Sequence, residues 1–165
     1  MAVSEYDDVY AALWPRLVRT AYAVSGDLGV AEDAVQIAFA KAFRSWRRIS
    51  RLEAPEAYLR RMVVNEVLND HRKARRRHEI TSDEPPDRPA VPDDGHHDDE
   101  MWRAISTLPP RQRAVLVLRY YEDLSEQQIA EALGCRPGTV KSQASAALAT
   151  LRTRVDHPTR AGEEL

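Results

Sequence analysis

The chain has 165 residues, 43% of them hydrophobic and 30% charged, with a net charge of −2, which is enough for one ordinary domain or two small ones. No stretch reaches the run of about eighteen apolar residues that a membrane span needs, and no export leader is evident, so the expectation is a cytoplasmic protein without membrane insertion. A single cysteine, Cys135, excludes an internal disulfide and a cysteine-cluster zinc site and reads as a small residue in a turn between helices.

The modest net charge hides a division along the chain. Residues 1–81 carry +3, residues 82–100 carry −7, residues 101–155 carry +4 and the tail from Asp156 carries −2. Two basic bodies joined by an acidic strap point to a polyanion as partner.

From Ser4 to about Arg77 the pattern is helical. Pro15 is expected to kink or break the first stretch, and Gly26 to end a helix. Val35, Phe39, Ala42 and Trp46 then recur at helical spacing, as do Leu59, Met62, Val63 and Val67, so each set lines one helix face. Pro55 suits the first turn of the second of these helices. No strand pattern appears anywhere.

Residues 82–99 hold four prolines and seven acids with few bulky apolar side chains, so they cannot offset the entropy cost of ordering and read as a linker. His96 and His97 lie among these aspartates, but no scaffold there would fix a metal's geometry.

Helical periodicity resumes after the linker. Pro110 opens a helix carrying Val115, Leu116 and Leu118 that ends near Tyr121. Ser125 and Gln128 have the spacing of a capping box, with Leu124 and Ile129 as its hydrophobic staple. The next helix is short and closes at Leu133 and Gly134. Pro137 starts another, in which Val140, Ala144, Ala147, Leu148, Leu151 and Val155 form an apolar stripe.

A short helix, a glycine-containing turn and a longer helix with a polar outer face read as a helix-turn-helix, whose second helix enters the major groove at its N-terminal end. With Val140 inward, Ser142, Ser145 and Ala146 point outward, flanked by Arg136, Thr139, Lys141 and Gln143.

The segment LPPRQRAVLVLRYYEDLSEQQIAEALGCRPGTVKSQASAALATLR, Leu108 to Arg152, closely resembles region 4 of the sigma-70 family of RNA polymerase sigma factors, which binds the promoter −35 element. AEDAVQIAFAKAFRSW, Ala31 to Trp46, followed by APEAYLRRMVVNEVLNDHRKARRR, Ala54 to Arg77, resembles region 2, which grips the polymerase clamp and reads the −10 element. With no room for an acidic first region or a folded third region, the chain is similar to the extracytoplasmic-function class, or group 4. The resemblance implies an all-α protein of two small helical domains, each marginal alone: region 2 at 1–81, a flexible acidic linker at 82–100, region 4 at 101–156 and a tail at 157–165.

It also implies site residues. Asp33 and Gln36, with Arg44 and Arg48 nearby, match the polymerase-contact helix. The loop from Ile49 to Ala54 and the helix after it match the part that captures an unstacked −10 base. There Arg60, Arg61, Asn65 and the run from Arg72 and Lys73 to Arg77 would hold phosphates and bases. Tyr58 would supply a stacking wall; Trp46 could as well, although its spacing favours the core. On the −35 side stand Arg119, Arg136, Thr139, Lys141, Ser142, Gln143 and Ser145. Gln143 and Ala146 occupy positions where the family commonly has arginine, which should flatten the salt dependence of −35 binding.

The implied partners are core RNA polymerase, promoter DNA (duplex at −35, single-stranded at −10) and, by family practice, an anti-sigma factor; no cofactor or metal is implied. An autonomous helix-turn-helix regulator would leave residues 28–77 without a role. An enzyme finds no support, because Glu32 with Asp33 and Glu122 with Asp123 are adjacent rather than facing pairs, and no phosphate loop, nucleophile elbow or HExxH segment occurs. The segment 78–101 would reach ~80 Å extended but averages ~27 Å as a coil, so it must stretch to join promoter elements ~50 Å apart.

Overall fold

The computed structural model describes residues 2–80 and 99–156; most of the acidic linker, His96, His97 and the tail after Asp156 lie outside the described residues. Among those described, all regular structure is helical. The first half comprises α1 (Ala2–Ser25), α2 (Leu28–Arg44), the single turn α3 (Trp46–Ile49) and α4 (Pro55–Ile80). The second comprises α5 (Asp99–Ser106), α6 (Pro110–Leu116), a π-helical turn (Val117–Tyr121), α7 (Glu126–Leu133) and α8 (Pro137–Asp156).

Local chemistry sets the ends of these helices. Gly26 takes the left-handed conformation (φ 71°) and its N–H closes α1 on the Tyr22 carbonyl at 2.8 Å. Asp27 then caps α2, its carboxylate accepting from the Val30 N–H at 3.0 Å. Ser125 and Gln128 form the reciprocal capping box of α7, and Gly134 (φ 64°) ends that helix. Pro137 opens α8, and Asp99 and Glu100 form the start of α5 rather than the end of the linker.

Pro15 departs from expectation, because α1 runs through it without a break from Ala2 to Ser25. One missing N–H and one ring clash are outweighed by the packed residues on either side: Tyr10 and Trp14 before it, Leu17, Ala21 and Val24 after it.

In the first half, α1, α2 and α4 pack around Leu17, Val24, Val35, Phe39, Leu59, Val63 and Val67. Ala31, Ala34, Ala38 and Ala42 bring the α2 backbone close to its neighbours. An aromatic group closes one end, with the Tyr10 and Phe39 ring centroids 4.7 Å apart and Tyr6 edge-on to Trp46 at 5.3 Å. The Tyr6 hydroxyl donates to the Phe39 carbonyl at 2.9 Å, and burial, reinforced by Tyr10 and Asp7, pushes its pKa up.

The two helical domains expected from the sequence pack against each other. Ala114, Val115, Val117, Leu118, Ile129, Ala130, Ala132, Leu133, Val140 and Ala144 belong to the same continuous apolar cluster as the first half, and α7 lies against α4. Fully burying Ile129 and Leu133 alone is worth ~1.5–3 kcal/mol each. A small second cluster of Ala104, Leu108, Leu116, Ala147 and Leu151 ties α5, α6 and α8 together. None of the described helices is long and apolar enough to cross a membrane.

Candidate nucleic-acid interface

Three exposed faces carry the residues singled out in the sequence. On α2, Asp33, Gln36 and Arg44 point to solvent, opposite the buried stripe of Ala31, Val35, Ala38 and Phe39. Ile37, 44% exposed, and Ala40 lie between them on the same line. Sequence reasoning missed Ile37. The available signal was an apolar residue off the inward stripe, a position where burial cannot explain it.

The second face runs along α4. Tyr58, Arg61, Asn65 and Arg72 follow one another at helical spacing, Arg61, Arg72 and Lys73 exposed and Tyr58 and Asn65 half-buried. Arg48 leans across from α3, donating to the Tyr58 hydroxyl at 3.2 Å with its guanidinium 5.7 Å from the ring centre. Arg48 therefore sits with the α4 group rather than with Asp33 and Gln36. Trp46 is buried, only 5% exposed, which leaves Tyr58 as the aromatic beside this face.

Arg60 does not share the line. It is turned toward the second half with its side chain 11% exposed, 3.4 Å from Glu122 and 3.5 Å from Glu56.

The third face belongs to α8. Arg136, Thr139, Lys141, Ser142, Ser145 and Ala146 are exposed, while Val140, Ala144 and Ala147 turn inward. The Ser142 hydroxyl donates to the Gly138 carbonyl at 3.0 Å, which leaves its oxygen lone pairs to accept from a base edge. Gln143 is half-buried at the margin of the inward stripe, less available than its neighbours. Arg119 stands apart, donating to Glu126 at 3.3 Å and lying 5.9 Å from the Tyr120 ring centre.

What the faces on α4 and α8 can do chemically follows from their donors. Long cations with an adjacent aromatic suit the phosphates and unstacked bases of a single strand. A helix-turn-helix that presents short hydroxyls and one lysine at the start of its second helix suits a duplex groove.

Two residues that join the halves were not anticipated as such. Arg113 is buried at 3% exposure, donating to the Val24 carbonyl at the end of α1 (3.0 Å) and to the Ser106 and Leu108 carbonyls (2.7 and 3.1 Å). The Glu122 side chain is 1% exposed and meets Arg16, Arg60 and the Thr20 hydroxyl of the first half. Val24 lies 89 positions from Arg113, and Thr20 and Arg16 lie 102 and 106 from Glu122, so no local pattern announced these contacts.

Comparison with known proteins agrees with these two halves. The family described as "Sigma-70 region 2" matches residues 9–77, and "Sigma-70, region 4" matches residues 98–151. An RNA polymerase sigma-E factor of Streptomyces antibioticus is 33% identical over 156 residues, covering 93% of this chain and 86% of its own. The ECF RNA polymerase sigma factor SigL of Mycobacterium tuberculosis is 32% identical, covering 89% and 84%. Among solved structures, the sigma factor RpoE of Bartonella quintana, crystallised with the anti-sigma factor NepR, has a similar fold, with a TM-score of 0.78 at 22% identity over 93% of this chain and 98% of that one.

Proposed function

The chain belongs to the sigma-70 family, in the extracytoplasmic-function class of RNA polymerase sigma factors, and on that premise we propose that it binds core RNA polymerase and directs it to particular promoters. In this reading α2 docks on the polymerase through Asp33, Gln36, Ile37 and Arg44. Tyr58, Arg61, Asn65, Arg72 and Lys73, with Arg48 and Arg60 beside them, hold the non-template strand at −10 and so help to open the DNA. Arg136, Thr139, Lys141, Ser142, Ser145 and, at the margin, Gln143 face the −35 groove, with Arg119 at its edge. Its role is that of an initiation factor, with catalysis left to the polymerase.

The observation that carries the reading is the pairing, in one chain, of two exposed faces suited to different forms of DNA: the cationic line with Tyr58 on α4 and the hydroxyl-rich start of α8. The anti-sigma factor bound to the RpoE relative supports a similar protein partner here. A cytoplasmic location fits this role.

Gel shifts with promoter DNA test it directly. The expected result is a specific complex only when core polymerase is present, together with transcription that Lys141→Ala reduces most on promoters that depend on their −35 element. Tight, specific duplex binding by the chain alone would favour an autonomous helix-turn-helix regulator and overturn the proposal.

A further inference from the structure

Glu122 is aimed by unusual backbone. The π-helical turn before it sends the Glu122 N–H to the Val117 carbonyl at 3.1 Å, and the following N–H of Leu124 reaches Leu118 at 3.0 Å. Between them Asp123 is in the left-handed region (φ 52°). This geometry turns the carboxylate out of its own half and into the other.

There one oxygen lies 3.1 Å from Arg16 and 3.4 Å from Arg60, and the other accepts from the Thr20 hydroxyl. A carboxylate withdrawn from water requires cations and donors around it. Both of its ion-pair partners among the described residues come from the first half.

A carboxylate beside arginine has the charge and acceptor geometry of a phosphate. Glu122 thus occupies at Arg60 the place that a strand phosphate would take. Contact between Glu122 and Arg60 is also incompatible with binding both promoter elements, which lie ~50 Å apart, because α8 is only ~30 Å long.

We propose that Glu122 is an intramolecular latch: it holds the free factor closed by standing in for a DNA phosphate at Arg60, and the chain opens when Arg60 exchanges Glu122 for the −10 strand. The proposal rests on the reading of α4 as the −10 face.

The test uses the full chain with Cys135→Ser and nitroxide labels at Ala11→Cys on α1 and Glu131→Cys on α7, both exposed positions. Electron-spin distance measurements should give one short, narrow distribution. Glu122→Gln should lower the closed-to-open ratio at least about tenfold, as expected for losing a charge-assisted bond, and add a long, broad component. Arg16→Gln, at a half-exposed side chain, should move it the same way and serves if the first variant folds poorly. Opening should also raise the affinity of the free chain for a short oligothymidine several-fold. Unchanged distances in both variants would overturn the latch, and opening without any gain in strand affinity would overturn its role as a phosphate stand-in. The −10 reading fails by a different result: Arg61→Ala leaves strand binding by the polymerase-bound factor unchanged.

Discussion

Replacing Arg113 by methionine keeps most of the side chain's length and removes its donors. Of the three carbonyls it serves among the described residues, Val24 and Leu108 are in buried bonds, while the bond to Ser106 is partly open to water. Water can replace the third, so the cost comes from the first two. At ~1.5–2 kcal/mol for each bond from a charged donor, the loss is about 3–4 kcal/mol. That is a large share of the roughly 5–15 kcal/mol that stabilises a typical domain.

The bond to Val24 also places a cation at the carbonyl end of α1, so the second half should loosen from the first as well as weaken. Urea unfolding followed by circular dichroism measures the first effect. Trp102→Phe leaves Trp14 and Trp46 as fluorescent reporters of the first half alone, and a split between the two signals in Arg113→Met would report the second. A loss under about 1 kcal/mol, with one coincident transition, would refute the argument that Arg113 fastens the halves.

Other perturbations separate the faces. Gln36→Ala and Ile37→Ala should weaken binding to core polymerase while changing stability by less than ~0.5 kcal/mol; titration against core polymerase with parallel thermal melts checks both parts. Arg72→Ala should reduce the salt slope of non-template strand binding by the holoenzyme by about 0.7, the contribution of one single-strand phosphate contact; an unchanged slope would place Arg72 in solvent. Gly134→Ala should cost ~1–2 kcal/mol, because its left-handed backbone disfavours a side chain although a Cβ would meet nothing within 4 Å; calorimetry decides, and a neutral result would mean the turn relaxes.

Where a helix ends was legible whenever one residue's chemistry decides it. Gly26, Ser125 with Gln128, Gly134 and Pro137 all act within a few positions of themselves. The inward stripe of α2 was legible for the same reason, since periodicity needs only the sequence around it. Pro15 misled because its penalty is local, whereas the packing that overrides it comes from α2 and α4. The π-helical turn left no trace in residue types; it depends on how Leu118 and Leu124 are seated. Of the candidate site, the outward residues of α8 followed from its helical face, whereas those of α2 and α4 came from the resemblance to region 2. Arg60 did not, because its direction is decided by Glu122, a partner brought near only by docking of the second half.

The shared apolar core also has a consequence for biosynthesis. Ribosomes deliver α1 to α4 first, and the face of α4 that receives α7 stays bare until Leu133 emerges about fifty residues after Ile80. At ~5–20 residues per second this leaves a window of roughly 3–10 s. During that time the nascent chain presents both the surface meant for Ile129 and Leu133 and, beside it, the cations Arg16 and Arg60 sharing the single carboxylate of Glu56 among the described residues. Chaperones and polyanions such as ribosomal RNA can meet that surface before the chain's own C-terminal half arrives to cover it.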